Sequence, residues 1–143
     1  MTITIAKTKT QIDRCFAVMA ELRPHINQAE FVRRVRRQQK AAGYQLVCVT
    51  NDGAVVAVAG FRVAECLAWG RFLYADDLVT TASARAAGYG GQLLDWLLCY
   101  AQEHGCAELH LDSGVQRFGA HRFYLKHGLD ITCHHFARRL TAS

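Results

Sequence analysis

The stretch that decides the fold is RAAGYGG, at residues 85–91. An extended apolar segment at 72–79 precedes it, and leucines at helical spacing follow it over 93–98. Its three glycines therefore lie where a strand leads into a helix. There the unpaired amides of the first turn and the positive end of the helix dipole can bind an anion. A plain tight turn without a ligand is the alternative interpretation of the same glycines.

Composition restricts the class of protein. The chain has 143 residues, 51% of them hydrophobic, which predicts one domain over 1–143 with a single core. It contains no run of the roughly 18 apolar residues that a membrane span needs, and its first residues lack the pattern of a signal peptide. We therefore expect a soluble, cytoplasmic protein with no membrane partner. The net charge of +5 favours anionic partners, either nucleic acid or a phosphorylated small molecule.

The six cysteines form no CxxC pair and mostly lie in apolar runs, which is typical of reduced, buried thiols. The nearest approach to a metal cluster is the set Cys99, His104, Cys106 and His110, whose spacing does not match a zinc site. We therefore expect no bound metal.

Hydrophobic periodicity and turn residues predict the order of the elements. A strand at 2–6 is followed by helices at 11–22 and 27–43, by strands at 44–49 and 54–62 around an Asn51-Asp52-Gly53 turn, and by a third antiparallel strand at 71–80. A helix at 88–104, a strand at 107–112, a helix at 119–127 and a strand at 131–140 complete the chain. The predicted fold class is α/β (α+β), with a mixed, mostly antiparallel central sheet flanked by helices. An edge strand at 131–140 would be compatible with a homodimer.

Two separated motifs resemble the GNAT acetyltransferase superfamily. Arg85, Gly88 and Gly90 match its phosphate-binding turn, in which Arg or Gln precedes two residues, a Gly, one residue and then Gly or Ala. AHRFYLKHGL at 120–129 resembles its C-terminal Ala-x-x-Phe-Tyr-x-x-x-Gly-Phe motif, and the predicted element order follows the family along nearly the whole chain. The resemblance implies the family fold and an acetyl-coenzyme A-dependent N-acetyltransferase that moves an acetyl group directly onto a primary amine.

The resemblance also implies where acetyl-coenzyme A would bind. Backbone amides of the turn and the charge of Arg85 would hold its phosphates, and a bulged strand before the turn would pair with its pantetheine arm. A backbone amide of Leu78 or Val79 would polarise the acetyl carbonyl. The sequence departs from the family pattern at Ala86 and Ala87, where a basic residue is common, and at Ser113, where an asparagine is common. The implied cofactor-binding residues are Leu78, Val79, Thr80, Arg85, Ala86, Ala87, Gly88, Tyr89, Gly90, Gly91 and Ser113.

Tyr124 matches the family tyrosine near the cofactor sulfur, which implies a general acid that protonates the leaving thiolate. A core aromatic residue is the alternative, because apolar residues flank it. The favoured general base is Asp76 or Asp77, directly or through water. As neighbours on a strand, their side chains should face opposite ways. Further candidates for the base are Glu65, Glu108, His110 and Asp112.

The sequence does not identify the acceptor amine: an antibiotic amine, a polyamine, an amino acid and a protein amine all fit. Two alternative functions are a non-catalytic acetyl-coenzyme A sensor and a small basic nucleic-acid-binding or regulatory module. Nucleic acid is the weaker partner, because the basic residues are not interleaved with exposed aromatic ones. The basic face at 33–40 would suit an acidic substrate or nucleic acid, but charge opposite an apolar stripe is more typical of a solvated helix surface.

Overall fold

The computed structural model describes residues 1–142 and divides the chain into two compact units. The first unit is Met1–Leu111, and the second begins at Asp112. Within the described residues, no helix is both long and apolar enough to cross a membrane. No group of three His, Cys, Asp or Glu side chains there is arranged to hold a metal ion.

Three helices precede the main sheet: α1 is Lys9–Arg14, α2 is Phe16–Leu22 and α3 is Gln28–Ala42. The single helix predicted at 11–22 is wrong, because the chain tightens at Cys15, whose N–H donates to the carbonyl of Ile12 at 3.0 Å, three residues back. The prediction for α3 is confirmed: the Asn27 side chain accepts from the amide of Glu30, and Gly43 ends the helix in the left-handed region.

The first unit contains a five-stranded sheet in the order β1-β2-β3-β4-β5. The strands are Thr2–Ile5, Gln45–Asn51, Ala54–Cys66, Gly70–Thr80 and Glu108–His110. All neighbours are antiparallel except β4 and β5, which are parallel. α4, Tyr89–Glu103, makes the crossover between those two strands. The predicted mixed, mostly antiparallel sheet flanked by helices is therefore confirmed.

Each face of the sheet buries its own apolar cluster. On one face, Leu46 and Val58 pack with Ile12 and Phe31 of the first three helices. On the other face, Phe61, Leu73 and neighbouring residues pack with Leu93 and Leu97 of α4. The periodic leucines that follow the glycine turn are thus the residues that fix α4 against the sheet.

A bulge in β4 corrects the prediction for Asp76 and Asp77. Gly60 of β3 pairs with Asp77, but the next residue, Phe61, pairs with Ala75, so Asp76 is the extra residue. Because a bulge breaks the strict alternation of side chains, Asp76 and Asp77 both line one pocket on the face that α2 and α3 cover. The expectation that they face opposite ways is wrong.

The second unit contains α5, Phe118–Lys126, close to the predicted helix at 119–127. The strand predicted at 131–140 is wrong, because this segment forms no strand in the structure. Its apolar side chains are exposed, with Ile131 at 75% and Phe136 at 92%, and no described strand pairs with it. Alternation alone cannot make a strand without a partner. The homodimer stays a prediction.

The cysteines divide by burial. Cys15 and Cys48 are buried in the cluster beneath the first three helices, whereas Cys99 and Cys133 are exposed. The expectation that most of them are buried therefore holds only for part of the set, because apolar neighbours in sequence do not ensure a place in the core.

Candidate active site

The glycine turn joins the end of β4 to the start of α4. After a short 3₁₀ turn at Ala82–Ala84, Ala86 and Gly88 both have positive φ, at 71° and 87°. Positive φ is easy for glycine but costs an alanine about 1 kcal/mol or more. Such a conformation is retained where the surrounding structure enforces it, and it often marks a binding site.

The N-terminus of α4 has no side-chain cap. Gly88 is its N-cap residue, and the first turn contains no acidic side chain. The amide of Gln92 makes the first helical bond, to the Gly88 carbonyl at 3.1 Å, so the amides before it have no partner within the helix. This arrangement can accept an anion, as the sequence predicted.

Side chains hold both ends of the segment that leads into the turn. The exposed Arg85 donates through Nε to the carbonyl of Thr80 at 3.4 Å. Glu21, at the end of α2, accepts from the Thr81 hydroxyl and from the amide of Ala82. Glu21 is not recognisable from the sequence, because its partners are 60 and 61 residues away and no motif includes it.

β4 has an open edge next to the turn. It pairs with β5 only from Phe72 to Tyr74, opposite Glu108–His110. Beyond Tyr74, the strand keeps β3 on one edge, with Leu78 opposite Ala59, but no strand of the first unit covers the other edge. The carbonyls of Asp76 and Thr80 accept from Arg23 and Arg85, and the other outward-facing backbone groups of this edge are available to an extended ligand.

Two site residues of the sequence analysis lie in the second unit. Tyr124, on α5, is half-buried; burial raises the pKa of its hydroxyl from 10.0, and the charge and hydrogen bond of Arg117 partly oppose that rise. Tyr124 therefore stays protonated at neutral pH. The Ser113 Oγ is buried with no hydrogen-bond partner among the described residues, which is costly unless a ligand or water satisfies it.

A pocket of about 340 Å³ lies beside the bulge of β4, bounded by α2, α3 and β4. Met19, Ile26, Phe31 and Val35 form its apolar wall. Its polar lining consists of Arg23, His25, Arg34, Gln38, Tyr44, Asp76 and Asp77. Apart from the two aspartates and Arg34, which belongs to the basic face at 33–40, none of these residues stood out in the sequence, because they come from elements far apart in the chain.

Both aspartates of the pocket are already engaged. Asp77 accepts from Arg23 Nε at 2.9 Å and from the Tyr44 hydroxyl at 2.8 Å. Asp76 accepts from the Arg62 guanidinium at 2.8 and 2.9 Å, in a bidentate pair. Burial raises the pKa of Tyr44 well above its usual range, and the neighbouring Asp77 carboxylate adds to the effect. Tyr44 is thus a hydrogen-bond donor here and does not act as a base.

The other candidate bases lie outside this pocket. Glu65 is exposed at the far end of β3, and Glu108 lies 3.2 Å from the His110 ring. That ring also stacks on Trp69, with ring centroids 3.5 Å apart. Asp112, in the second unit, lies 3.3 Å from His135. Glu108, His110 and Asp112 therefore have partners, and Glu65 lies at an exposed position.

Comparisons with known proteins agree with this geometry. The chain is 32% identical over 117 residues to the uncharacterized N-acetyltransferase YhdJ of Bacillus subtilis (strain 168), covering 82% of each chain. A transcriptional regulator from Bacillus halodurans C-125 is 22% identical, with a TM-score of 0.84 over 97% of this chain and 100% of that one. The aminoglycoside N-acetyltransferase AAC(6')-Iy in complex with CoA is 14% identical, with a TM-score of 0.78 over 99% and 100%.

At these identities the two solved structures show the fold alone. The family model described as "Acetyltransferase (GNAT) family" matches residues 12–129, which include the bulged strand, the glycine turn and the tyrosine of α5. The resemblance drawn from the two sequence motifs is thereby confirmed, and the chain belongs to the GNAT acetyltransferase family.

Proposed function

We propose that the protein is an acetyl-coenzyme A-dependent N-acetyltransferase acting on a primary amine of a small molecule or a protein. The observation that carries the proposal is the junction of β4 and α4. There an open strand edge leads directly into an uncapped helix N-terminus. The strand edge suits an extended chain of amides and the helix start suits phosphates, and coenzyme A contains both.

The residues of the junction fit this ligand. Amides over 86–91, including those of Tyr89, Gly90 and Gly91, would bind the pyrophosphate, and the exposed Arg85 would supply a positive charge. Backbone groups of Leu78, Val79 and Thr80 would pair with the pantetheine arm. Ser113, in the second unit, stays a proposed cofactor-binding residue on the family pattern, and its hydroxyl is buried with no hydrogen-bond partner among the described residues.

When bound, acetyl-coenzyme A supplies a thioester whose acetyl carbon forms a bond to the amine nitrogen as the carbon–sulfur bond breaks. The backbone amide of Leu78 or Val79 would stabilise the negative charge on the carbonyl oxygen. Tyr124 would donate its hydroxyl proton to the departing thiolate. Its hydroxyl is protonated at neutral pH, as a general acid must be, although burial makes it a weaker acid than a free tyrosine by raising its pKa.

We propose the pocket beside the bulge as the acceptor site, because Asp77, which lines it, is followed directly by Leu78 in β4. Asp76 and Asp77 are the carboxylates available to take the amine proton, directly or through water. Their arginine partners occupy part of their oxygens. A bridging water would connect the amine to the oxygens that remain.

The experiment that tests the proposal combines calorimetry with a screen for free thiol. Acetyl-coenzyme A should bind to the protein, and incubation with a library of primary amines should release coenzyme A thiol. Binding without thiol release from any amine would favour the sensor, and absence of binding would reject both. Mass spectrometry of the acetylated amine separates transfer from simple hydrolysis.

The Tyr124→Phe variant tests the general acid. We expect kcat to fall by about 100-fold, within the usual range for a lost general acid, while the Kd for acetyl-coenzyme A stays within about twofold.

The pH profile gives a second test of Tyr124. In the native protein, kcat should decline only above pH 10.0, because burial has raised the pKa of Tyr124, and the variant should lose this alkaline decline. Tyr100→Phe removes a hydroxyl that accepts from Gln45 in the first unit and serves as control. Equal kcat in the native protein and Tyr124→Phe would contradict the assignment.

A further inference from the structure

The pocket beside the bulge has a chemistry that restricts the acceptor. Resting on the proposed function, which makes this pocket the acceptor site, we infer that the acceptor is a small amine that also carries a carboxylate or phosphate. Arg34 binds that anionic group. The inference follows from the size of the pocket, from the pairing of its acidic residues and from its least engaged cation.

The size of the pocket favours a small acceptor. Its volume of about 340 Å³ is near the lower end of the range of small-molecule sites, about 300 to 1,000 Å³. One wall is apolar, formed by residues such as Phe31 and Val35, and can hold the carbon skeleton. A molecule the size of an amino acid or a single sugar fills this volume, whereas an antibiotic of several linked rings would have to extend out of the pocket.

The acidic residues of the pocket do not suit a polycation. An acceptor with several ammonium groups needs carboxylates to replace the water that it loses on entering. Asp77 is held by Arg23 and Tyr44, and Asp76 is held by both arms of the Arg62 guanidinium. Their negative charges are therefore largely balanced within the protein.

Arg34 is the cation with hydrogen-bonding capacity to spare. It lies on α3 and lines the pocket, and its side chain is 37% exposed. Its acidic neighbour, Glu30, is 3.9 Å away, which is too long for a hydrogen bond. A guanidinium binds a carboxylate or a phosphate through two parallel hydrogen bonds. His25 and Gln38 add polar groups to the same lining.

A matched set of amines, each with a two-carbon spacer between the amine and a second group, tests the inference. β-Alanine and phosphoethanolamine carry a carboxylate and a phosphate, ethanolamine carries a neutral hydroxyl, and ethylenediamine carries a second amine. Thiol release should give a kcat/KM at least tenfold higher for one of the anionic amines than for ethanolamine or ethylenediamine. The better of the two anionic amines identifies which anion the site prefers.

Arg34→Gln and Arg33→Gln form a matched pair of variants. Both arginines lie on α3 beside Glu30, at 3.9 and 4.0 Å, but only Arg34 lines the pocket. Arg34→Gln should lower kcat/KM for the anionic amine at least tenfold and weaken calorimetric binding of its acetylated product by a similar factor. Arg33→Gln should change neither. Thermal unfolding checks that both variants are folded.

The outcomes separate this inference from the proposed function. A protein that binds acetyl-coenzyme A but prefers ethylenediamine or ethanolamine, or acetylates no anion-bearing amine of the library, overturns the inference and leaves the proposed function standing. Equal losses in Arg34→Gln and Arg33→Gln also overturn it. A protein that does not bind acetyl-coenzyme A refutes the proposed function, and the inference fails with it.

Discussion

At the scale of single residues, the pocket beside the bulge depends on a glycine that belongs to no recognisable motif. A Cβ atom built at Gly60 would lie 1.7 Å from the Tyr44 hydroxyl oxygen and 2.6 Å from Asp77 Oδ2. Gly60 therefore makes room for the hydrogen bond between those two side chains, and this explains a glycine in the middle of a buried strand.

Gly60→Ala should destabilise the protein by about 2 kcal/mol, because the added methyl group must displace Tyr44 from a packed site. The same displacement distorts the pocket, because Tyr44 and Asp77 both line it, so the KM for the amine should rise as well. Chemical denaturation measures the first effect and steady-state kinetics the second. Gly119→Ala, on α5, meets nothing within 4 Å and should be neutral or slightly stabilising. A stable Gly60→Ala protein with unchanged kinetics would show that Tyr44 does not need this space.

At the scale of elements, the sequence predicted the parts of the site that are local and missed the parts that are not. The three glycines, the leucines of α4 and the cap residues Asn27 and Gly43 act through neighbours within a few positions, so their pattern is visible in the sequence. The bulge at Asp76 depends on how β3 and β4 pair. Arg23 meets Asp77 across 54 residues, and no local pattern encodes such a contact.

The same reasoning explains the two errors in secondary structure. The sequence predicts one helix at 11–22, because apolar periodicity continues across Cys15. Periodicity contains no information about a change from a hydrogen bond to residue i−4 to one to residue i−3. The strand expected at 131–140 had a fitting composition but has no partner strand in the described structure. Pairing, rather than composition, decides whether a segment becomes a strand.

The start of α4 yields a prediction at this scale. Gly88→Ala should weaken acetyl-coenzyme A binding by about tenfold, because an alanine resists the φ of 87° and shifts the amides that would hold the phosphates. Gly105→Ala is the matched control: it follows the other end of the same helix, its φ is 73°, and a Cβ there also meets nothing within 4 Å. Both variants should lose about 1 kcal/mol of stability, but only Gly88→Ala should lose affinity in calorimetry. Equal affinities would mean that the turn does not hold the ligand.

At the scale of the whole molecule, the net charge of +5 is compatible with both a coenzyme A ligand and nucleic acid. Three of the basic residues of α3 make different contacts. Arg36 donates to the carbonyl of Lys7, Arg33 and Arg34 lie near Glu30, and Arg34 also lines the pocket. These contacts do not support the single continuous phosphate-binding stripe that a nucleic-acid module requires.

Thermal unfolding with two ligands decides between these partners for the intact chain. Acetyl-coenzyme A at 100 times its Kd should stabilise the protein by about 2.7 kcal/mol, equivalent to a rise in Tm of roughly 5 to 10 °C for a chain of this size. Duplex DNA at the same phosphate concentration, in about 0.15 M salt, should leave Tm unchanged, because a small excess of positive charge is well screened there. The rise with acetyl-coenzyme A should be smaller for Gly88→Ala than for Gly105→Ala at the same ligand concentration, which links the effect to the turn. A DNA-dependent rise without any response to acetyl-coenzyme A would favour the nucleic-acid module over the enzyme.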